Sequence, residues 1–383
     1  MSLHPSPRAF PRPQSDGDHL ASPPGIPGRA SPGLASGPRL HVLDGLRIVA
    51  AVAVLFHHYT REGLWGRDAF GWLTTFGRYS WLGVELFFMI SGFVICMSAW
   101  GRPLGGYLRS RVVRLGPAYW FCVLVTTAVL LVDGEPLGGA GPGLSQVLTN
   151  LTMFQTPLRS NQLDMSYWTL WSEVRFYLLF AVVARTGLTY RKVMNFCWIW
   201  TVASLLAPTS GLPVLDTLAN PVYSPLFVSG ICFYLIRREG PRAGEPWALL
   251  GFSWLLMQRW LNDIVHWNTV KGDRLSWEAC LVVVSACYLV MAAVALRRLD
   301  RIDWRWLPVG GAMSYPLYLL HQQIGITLLR QWHRDVEPWT LLLSAVAVIL
   351  AASWLIQRFV ERPSAQLLRQ WLETRPARAR PSA

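Results

Sequence analysis

Residues 43–58 read LDGLRIVAAVAVLFHH, and this stretch decides the class of fold. It belongs to an apolar run over 42–60 that is interrupted by Arg47 near its start and by His57 and His58 near its end. A helix needs roughly 17–25 apolar residues to cross about 30 Å of hydrocarbon. The run therefore predicts a membrane-spanning helix that carries ionisable side chains.

Nine similar runs follow along the chain. Only helices or closed barrels span lipid, and runs of this length exclude strands. We therefore predict an all-α, polytopic membrane helix bundle of about ten transmembrane helices. The predicted segments are 42–60, 79–99, 115–132, 167–185, 193–208, 220–236, 246–262, 276–296, 307–329 and 338–360.

The composition supports this class. Hydrophobic residues make up 52% of the 383 residues and charged residues only 15%, whereas soluble proteins carry about 25%. The net charge of +13 alone would suit a nucleic-acid binder, but the basic residues lie between the apolar runs rather than on one soluble domain. The six cysteines lie inside apolar runs without a CxxC pair, so neither a disulfide framework nor a metal site is predicted.

Three regions are predicted along the chain. Residues 1–40 are half Pro, Gly or Ser, which predicts a disordered tail, 41–363 form the transmembrane domain, and 364–383 form a basic tail. With the N-terminus inside, 24 Lys and Arg lie in inner segments and 8 in outer loops. The positive-inside rule then predicts that both termini are cytoplasmic.

Arg47 and His58 are expected to share one face of the first helix. They are eleven residues apart, and eleven steps of 100° come within about 20° of whole turns. Ionisable side chains inside a bilayer are costly and usually functional. Arg47 would lie near the cytoplasmic end and His58 deeper, toward the outer side. The alternatives are that Arg47 anchors the helix at the interface and that His58 is a structural core residue.

Two carboxylates are predicted at the depth of His58. Glu85 lies in GVELFFMISGFVI (83–95) and Glu173 in SYWTLWSEVRFYLLF (166–180), each in the outer half of an inward-running helix. A histidine beside a carboxylate suits general-base chemistry. The alternative is that each acid forms a structural pair with an arginine, such as Glu173 with Arg175.

Two further groups remain open on residue chemistry alone. Arg109, Arg111 and Arg114 crowd the start of the third helix, where they could bind phosphate or anionic lipid headgroups. His321 lies in SYPLYLLHQ (314–322), where it could line the same cavity or be hydrogen-bonded within the bundle.

These motifs together resemble the integral-membrane acyltransferase 3 family of bacterial O-acyltransferases. The similar stretches are the Arg47–His58 spacing, the SGFVI ending (91–95), RSRVVRLGPAYW (109–120), the Trp–Glu–FYL pattern around Glu173, SYPLYLLHQ and FVERP (359–363). In this chain Glu85 stands where the family often has Asp, and Val174 and Arg175 stand where it often has polar or acidic residues.

The resemblance implies transfer of an acyl group, by default acetyl, from cytoplasmic acyl-coenzyme A to a hydroxyl. The acceptor would be a cell-surface or exported glycan, a lipid or a small molecule, at the bacterial inner membrane, with no metal and no nucleic acid involved. His58 would be the general base or acyl carrier, oriented by Glu173 or Glu85.

The donor site follows from the same resemblance. Arg47, Arg109, Arg111 and Arg114 would bind the coenzyme, with Ser91 and Gly92 beside its arm. The long outer loop 133–166 is expected to help select the acceptor. The competing hypotheses are a glycan or lipid transporter that uses the same buried charges and a non-catalytic membrane anchor or sensor whose tail binds a partner.

Overall fold

The computed structural model describes residues 40–61, 64–65, 69–133, 141–267 and 275–373. Over these residues the fold is all-α, as the apolar pattern predicts, with helices and connections and no strand. The expected N-terminal tail lies outside the described residues except for residue 40, and the outer loop 133–166 is described only in part.

Fifteen α-helices follow one another over the described part of the chain. They are α1 (His41–Arg61), α2 (Trp72–Tyr79), α3 (Gly83–Ala99), α4 (Leu104–Asp133), α5 (Leu144–Leu151), α6 (Trp168–Ala184), α7 (Tyr190–Ser210), α8 (Pro213–Ala219), α9 (Ser224–Glu239), α10 (Gly244–Trp267), α11 (Trp277–Ala295), α12 (Leu307–Leu320), α13 (Gln323–Trp332), α14 (Pro338–Ile356) and α15 (Arg362–Glu373). Short 3-10 turns (Ser80–Leu82 and Met165–Tyr167) precede α3 and α6, and a π-helical turn (Gln357–Glu361) joins α14 to α15.

Within the described residues, six helical stretches are long and apolar enough to cross a membrane, and they make the protein a multi-pass membrane protein. These are His41–Arg61, Trp72–Ala99, Leu104–Val132, Pro213–Glu239, Trp277–Ala295 and Pro338–Leu372. Each of the ten predicted segments contains helix. That all ten cross the membrane, and that both termini are cytoplasmic, remain predictions.

Three elements differ from the sequence prediction. Segment 307–329 is not one helix, because it breaks at His321–Gln322 between α12 and α13. The arginine-rich stretch belongs to α4, which already begins at Leu104. The residues expected to begin the basic C-terminal tail at 364 form α15 as far as Glu373.

Glycines set the closest approach in the bundle, where α3 crosses α9. A Cβ added to Gly92 would lie 2.1 Å from the carbonyl oxygen of Phe227, and one on Gly230 would lie 2.0 Å from that of Met89. Only residues without a side chain allow backbones to come this close. The crossing fixes α3 in the centre of the structure, and α3 contributes side chains to both cavities described below.

A buried carboxylate holds the outer connection against the break between α12 and α13. Asp164 accepts hydrogen bonds from the backbone N–H of Ser166 at 2.8 Å and of Gln323 at 2.9 Å. Asn150 donates to the carbonyl oxygen of Asn161 at 2.9 Å, which closes the same connection. These bonds place Ser166 and Gln322 beside each other at the outer cavity.

Candidate active site

A cavity of about 470 Å³, here called the inner cavity, is enclosed by α1, α3, α4, α6 and α12, with α15 at its edge. Its polar lining combines five arginines with two carboxylates and several hydroxyls. The side chains used below are Arg47, Arg111, Arg114, Ser91 and Glu173. An excess of fixed positive charge in a cleft suits an anionic ligand.

A second cavity of about 180 Å³, here called the outer cavity, lies between α1, α3, the start of α6 and the break after α12. His57, His58 and Glu85 line it together with Ser166 and Gln322. Aromatic rings complete its wall: Trp81, Trp168, Tyr223 and Tyr318. The chemistry here is that of a base and an acid among apolar surfaces.

Val84 and Tyr318 line both cavities and form the wall between them. The Tyr318 hydroxyl accepts a hydrogen bond from Thr169 at 2.9 Å and lies 3.2 Å from the carbonyl oxygen of Ser166. These contacts hold the ring in place. In the sequence Tyr318 is marked only by its place in SYPLYLLHQ. No local pattern marks Val84 as a residue of the site.

Arg47 and His58 of α1 lie in different cavities. Arg47 lines the inner cavity and His58 lines the outer one, so a single helix face runs along both. The Nδ1 of His57 lies 2.8 Å from the carbonyl oxygen of Gly77 in α2. His58 has the ring of His321 5.3 Å away, centroid to centroid.

Glu85 lies in the cavity of His58, whereas Glu173 does not. Glu85 is 1% exposed, and neither of its carboxylate oxygens accepts a hydrogen bond from another described residue. Glu173 lies in the inner cavity, where the hydroxyl of Ser91 donates to its Oε1 at 2.5 Å. The sequence predicts both acids at the depth of His58. Depth along a helix does not decide which of the two acids faces His58.

Arg175 is engaged away from Glu173. Its guanidinium donates to the carbonyl oxygen of Thr217 at 2.7 Å and to the side-chain oxygen of Asn220 at 2.9 Å. It therefore fastens α6 to the end of α8. The local Glu173–Arg175 pair that the sequence left open as an alternative does not form in this structure.

The three arginines of α4 have different surroundings. Arg111 and Arg114 line the inner cavity, where Arg111 lies over the ring of Tyr177 and Arg114 forms an ion pair with Glu361 of the π-helical turn. Arg109 instead donates to the carbonyl oxygen of Leu372 in α15 at 3.3 Å. Glu361 belongs to the FVERP stretch, so two separate motifs meet at this ion pair.

Two expected contacts differ in position. Gly92 faces α9 rather than the inner cavity, because its missing side chain allows the helix crossing described above. His321 is fully buried behind His58, with its Nδ1 2.8 Å from the carbonyl oxygen of Tyr318. It is therefore hydrogen-bonded within the bundle and adjacent to the outer cavity at the same time. Among the described residues no group of three or more His, Cys, Asp or Glu side chains is placed to hold a metal ion.

Comparisons with known proteins identify the family of the chain. A family model described as an acyltransferase domain, that of the acyltransferase 3 family, matches residues 40–358. The chain is 25% identical over 380 residues to the acyltransferase MdmB of Streptomyces mycarofaciens. The aligned region covers 86% of this chain and 92% of that protein. It is also 34% identical over 100 residues to protein 2 in the picA locus of Rhizobium radiobacter, covering 24% of this chain and 47% of that protein. No solved structure matches.

Proposed function

The chain belongs to the acyltransferase 3 family and is a membrane O-acyltransferase, and on that basis we propose that it moves an acyl group from a cytoplasmic acyl-coenzyme A to a hydroxyl of a glycan, lipid or small molecule. The acyl group is by default acetyl, as in O-acetylation of polysaccharides, and the location is the bacterial inner membrane. Surrounding membrane lipids would be further partners.

One observation carries the proposal: an arginine-lined cavity and a histidine-lined cavity meet at a wall of two side chains, Val84 and Tyr318. Group transfer needs two substrates whose reacting atoms come together at one point. A charged donor and a hydroxyl acceptor require different surroundings. The two cavities supply these surroundings and adjoin beside His58.

The inner cavity would take the donor. Arg47, Arg111 and Arg114 offer permanent positive charge and forked N–H donors to the phosphates of coenzyme A. Arg109 lies beyond the cavity lining and would act at its entrance, on the side of α15. The ion pair between Arg114 and Glu361 has to open or be shared when phosphate arrives. The Ser91–Glu173 pair would then flank the arm that carries the thioester.

The outer cavity would take the acceptor. His58 would remove the proton of the acceptor hydroxyl as that oxygen attacks the thioester carbonyl, or would carry the acyl group itself. Glu85, in the same cavity, would stabilise the positive charge that His58 gains. Acid quenching during turnover of a donor with a labelled acyl group would separate the two routes. Only the acyl-carrier route leaves the labelled acyl group on the protein.

The outer connection would contribute to acceptor choice. Its last residues, Met165 and Ser166, line the outer cavity. Asp164 bonds to the backbone of Ser166, and Asn150 bonds to that of Asn161 in the same connection. Exchange of 141–163 for another sequence is expected to alter acceptor preference while leaving donor affinity unchanged. An unaltered preference would refute this role.

Release of free thiol from acetyl-coenzyme A tests the proposal. Purified protein in detergent, with lipid and glycan extracts of the native host as acceptors, is expected to release thiol, and His58→Ala to release at least about 100-fold less. His333→Ala, at the end of α13, is the matched control and should behave as wild type. Full activity of His58→Ala would refute the role of His58. Failure to bind coenzyme A would favour the transporter hypothesis.

A further inference from the structure

His321 is held in one orientation and one tautomer. It is fully buried at the end of α12, and its Nδ1 lies 2.8 Å from the carbonyl oxygen of Tyr318. A carbonyl oxygen only accepts hydrogen bonds, so Nδ1 carries the hydrogen. In the neutral ring Nε2 is then an acceptor with a lone pair.

That acceptor has no donor in the described part of the chain. Nε2 of His321 is buried and makes no hydrogen bond there. A buried polar atom without a partner costs free energy, and such atoms in native structures call for an explanation. The ring itself cannot turn away without giving up its bond to Tyr318.

His58 is the adjacent group that can supply the donor. The two ring centroids are 5.3 Å apart, and the planes are inclined by 52°. This separation suits an N–H···N hydrogen bond of about 3 Å between two five-membered rings after a small rotation of either one. His58 lines the outer cavity, whereas His321 lies behind it.

Neither acid considered for orienting His58 has a hydrogen bond to it here. The oxygens of Glu85 accept no bond from another described residue, and the Oε1 of Glu173 is occupied by Ser91 in the inner cavity. Catalytic histidines are commonly oriented by an acceptor on the nitrogen that faces away from the substrate. In this site His321 offers a buried acceptor beside His58.

We infer that His321 is a positioning residue for His58: its Nε2 accepts the N–H of His58, which directs the other ring nitrogen of His58 at the acceptor hydroxyl. The inference rests on the proposed function. His321 itself is fixed by its hydrogen bond to the backbone of α12.

The proton balance of the step leaves His321 unchanged. The acceptor oxygen forms a bond to the thioester carbonyl carbon, and its proton passes to the ring nitrogen of His58 that faces the outer cavity. The carbon–sulfur bond then breaks, and the same proton passes from His58 to the thiolate of coenzyme A. His321 accepts one hydrogen bond throughout, and that bond is strongest while His58 is charged.

Three substitutions of His321 separate this role from a purely structural one. In His321→Gln the side-chain amide reaches the position of Nε2, so an acceptor for His58 is retained. In His321→Asn the amide reaches only the position of Nδ1, so the bond to the Tyr318 carbonyl is retained instead. His321→Phe fills the space and retains neither, and His333→Phe is the matched control.

The assay is thiol release from acetyl-coenzyme A with a native lipid and glycan extract, which gives kcat and the KM for the donor. The melting temperature of each variant in detergent is measured as well. We expect kcat to fall about 10- to 100-fold in His321→Phe and His321→Asn, with KM within about twofold of wild type, and His321→Gln to recover most of the loss. The inference is overturned if His321→Asn and His321→Gln have the same kcat, whether both recover or both lose activity. It is also overturned if all three variants match wild type.

His58→Ala in the same assay keeps the two proposals distinct. Full activity of that variant would refute the proposed function of His58. Loss of activity there, together with normal activity in all variants of His321, would refute only the positioning role.

Discussion

At the residue scale, α1 places two chemically different groups on one face. Arg47 and His58 are separated by about 16 Å of helix rise and line two adjoining cavities. The spacing was readable from the sequence because a single helix fixes the phase between its own residues. The sequence marks Ser91 and His321 as candidates through their motifs, but it does not give their contacts, because they and Glu361 reach the site from other parts of the chain.

Substitution of Arg111 by Gln should raise the KM for acetyl-coenzyme A about 10-fold or more with a smaller change in kcat, since a permanent charge in the inner cavity is lost. Steady-state thiol release measures both constants. Arg298→Gln, at an exposed position after α11, is the control. Equal KM values for the two variants would contradict a phosphate-binding role for Arg111.

The stability contribution of Asp164 should depend on pH. Burial raises the pKa of Asp164 from 3.8 to about 6, against the lowering effect of its hydrogen bonds to Ser166 and Gln323. The native state therefore binds this proton more tightly than the unfolded state. The contribution is greatest below about pH 4, decreases as the pH rises to about 6, and is constant above that.

Melting temperatures of wild type and Asp164→Asn between pH 4 and 8 measure this effect. The advantage of wild type over the variant should shrink from pH 4 to 6 and then stay level. Asp335→Asn, exposed between α13 and α14, should show no such trend. An advantage that grows with rising pH would contradict the shifted pKa.

At the element scale, apolar patterning predicted where helices form but not where they break. Segment 307–329 has no proline or glycine at His321–Gln322, so nothing local ends α12 there. The break coincides with a distant carboxylate, because Asp164 accepts the N–H of Gln323 at the start of α13. A contact with a residue this far away in the chain leaves no pattern in residues 307–329 from which the break could be predicted.

Alanine at Gly92 or Gly230 should destabilise the protein. The added Cβ would meet a backbone carbonyl oxygen of the facing helix at 2.1 or 2.0 Å, so α3 and α9 have to separate. Overpacking of this kind costs about 1–3 kcal/mol, which lowers the melting temperature in detergent. Gly251→Ala, with nothing within 4 Å of its added Cβ, is the control, and an equal effect in all three would refute the close crossing.

At the scale of the whole molecule, the class of fold and the family were predictable, and the division of the site was not. Composition and run length fix an all-α membrane bundle, and helix direction fixes the approximate depth of each charge. Lateral position depends on which helices are neighbours. Glu85 and Glu173, which the sequence predicts at one depth, lie in two different cavities.

Filling the wall between the cavities should stop transfer without stopping donor binding. Val84→Trp adds bulk at the point where both cavities meet. We expect acyl transfer to fall about 100-fold or more while the affinity for coenzyme A, measured by calorimetry, changes less than about threefold. Val282→Trp, at an exposed position of α11, is the control. Transfer at the wild-type rate through Val84→Trp would show that the substrates meet elsewhere.

The central claim is that the acyl group passes from the inner to the outer cavity at His58. It is tested most directly in sealed vesicles with the protein in one orientation and labelled acetyl-coenzyme A on one side only. We predict thiol release and labelled acceptor when the donor is on the side of α15, none when it is on the side of the α13–α14 connection, and none with His58→Ala. Transfer from the other side, or undiminished transfer by His58→Ala, would contradict the claim.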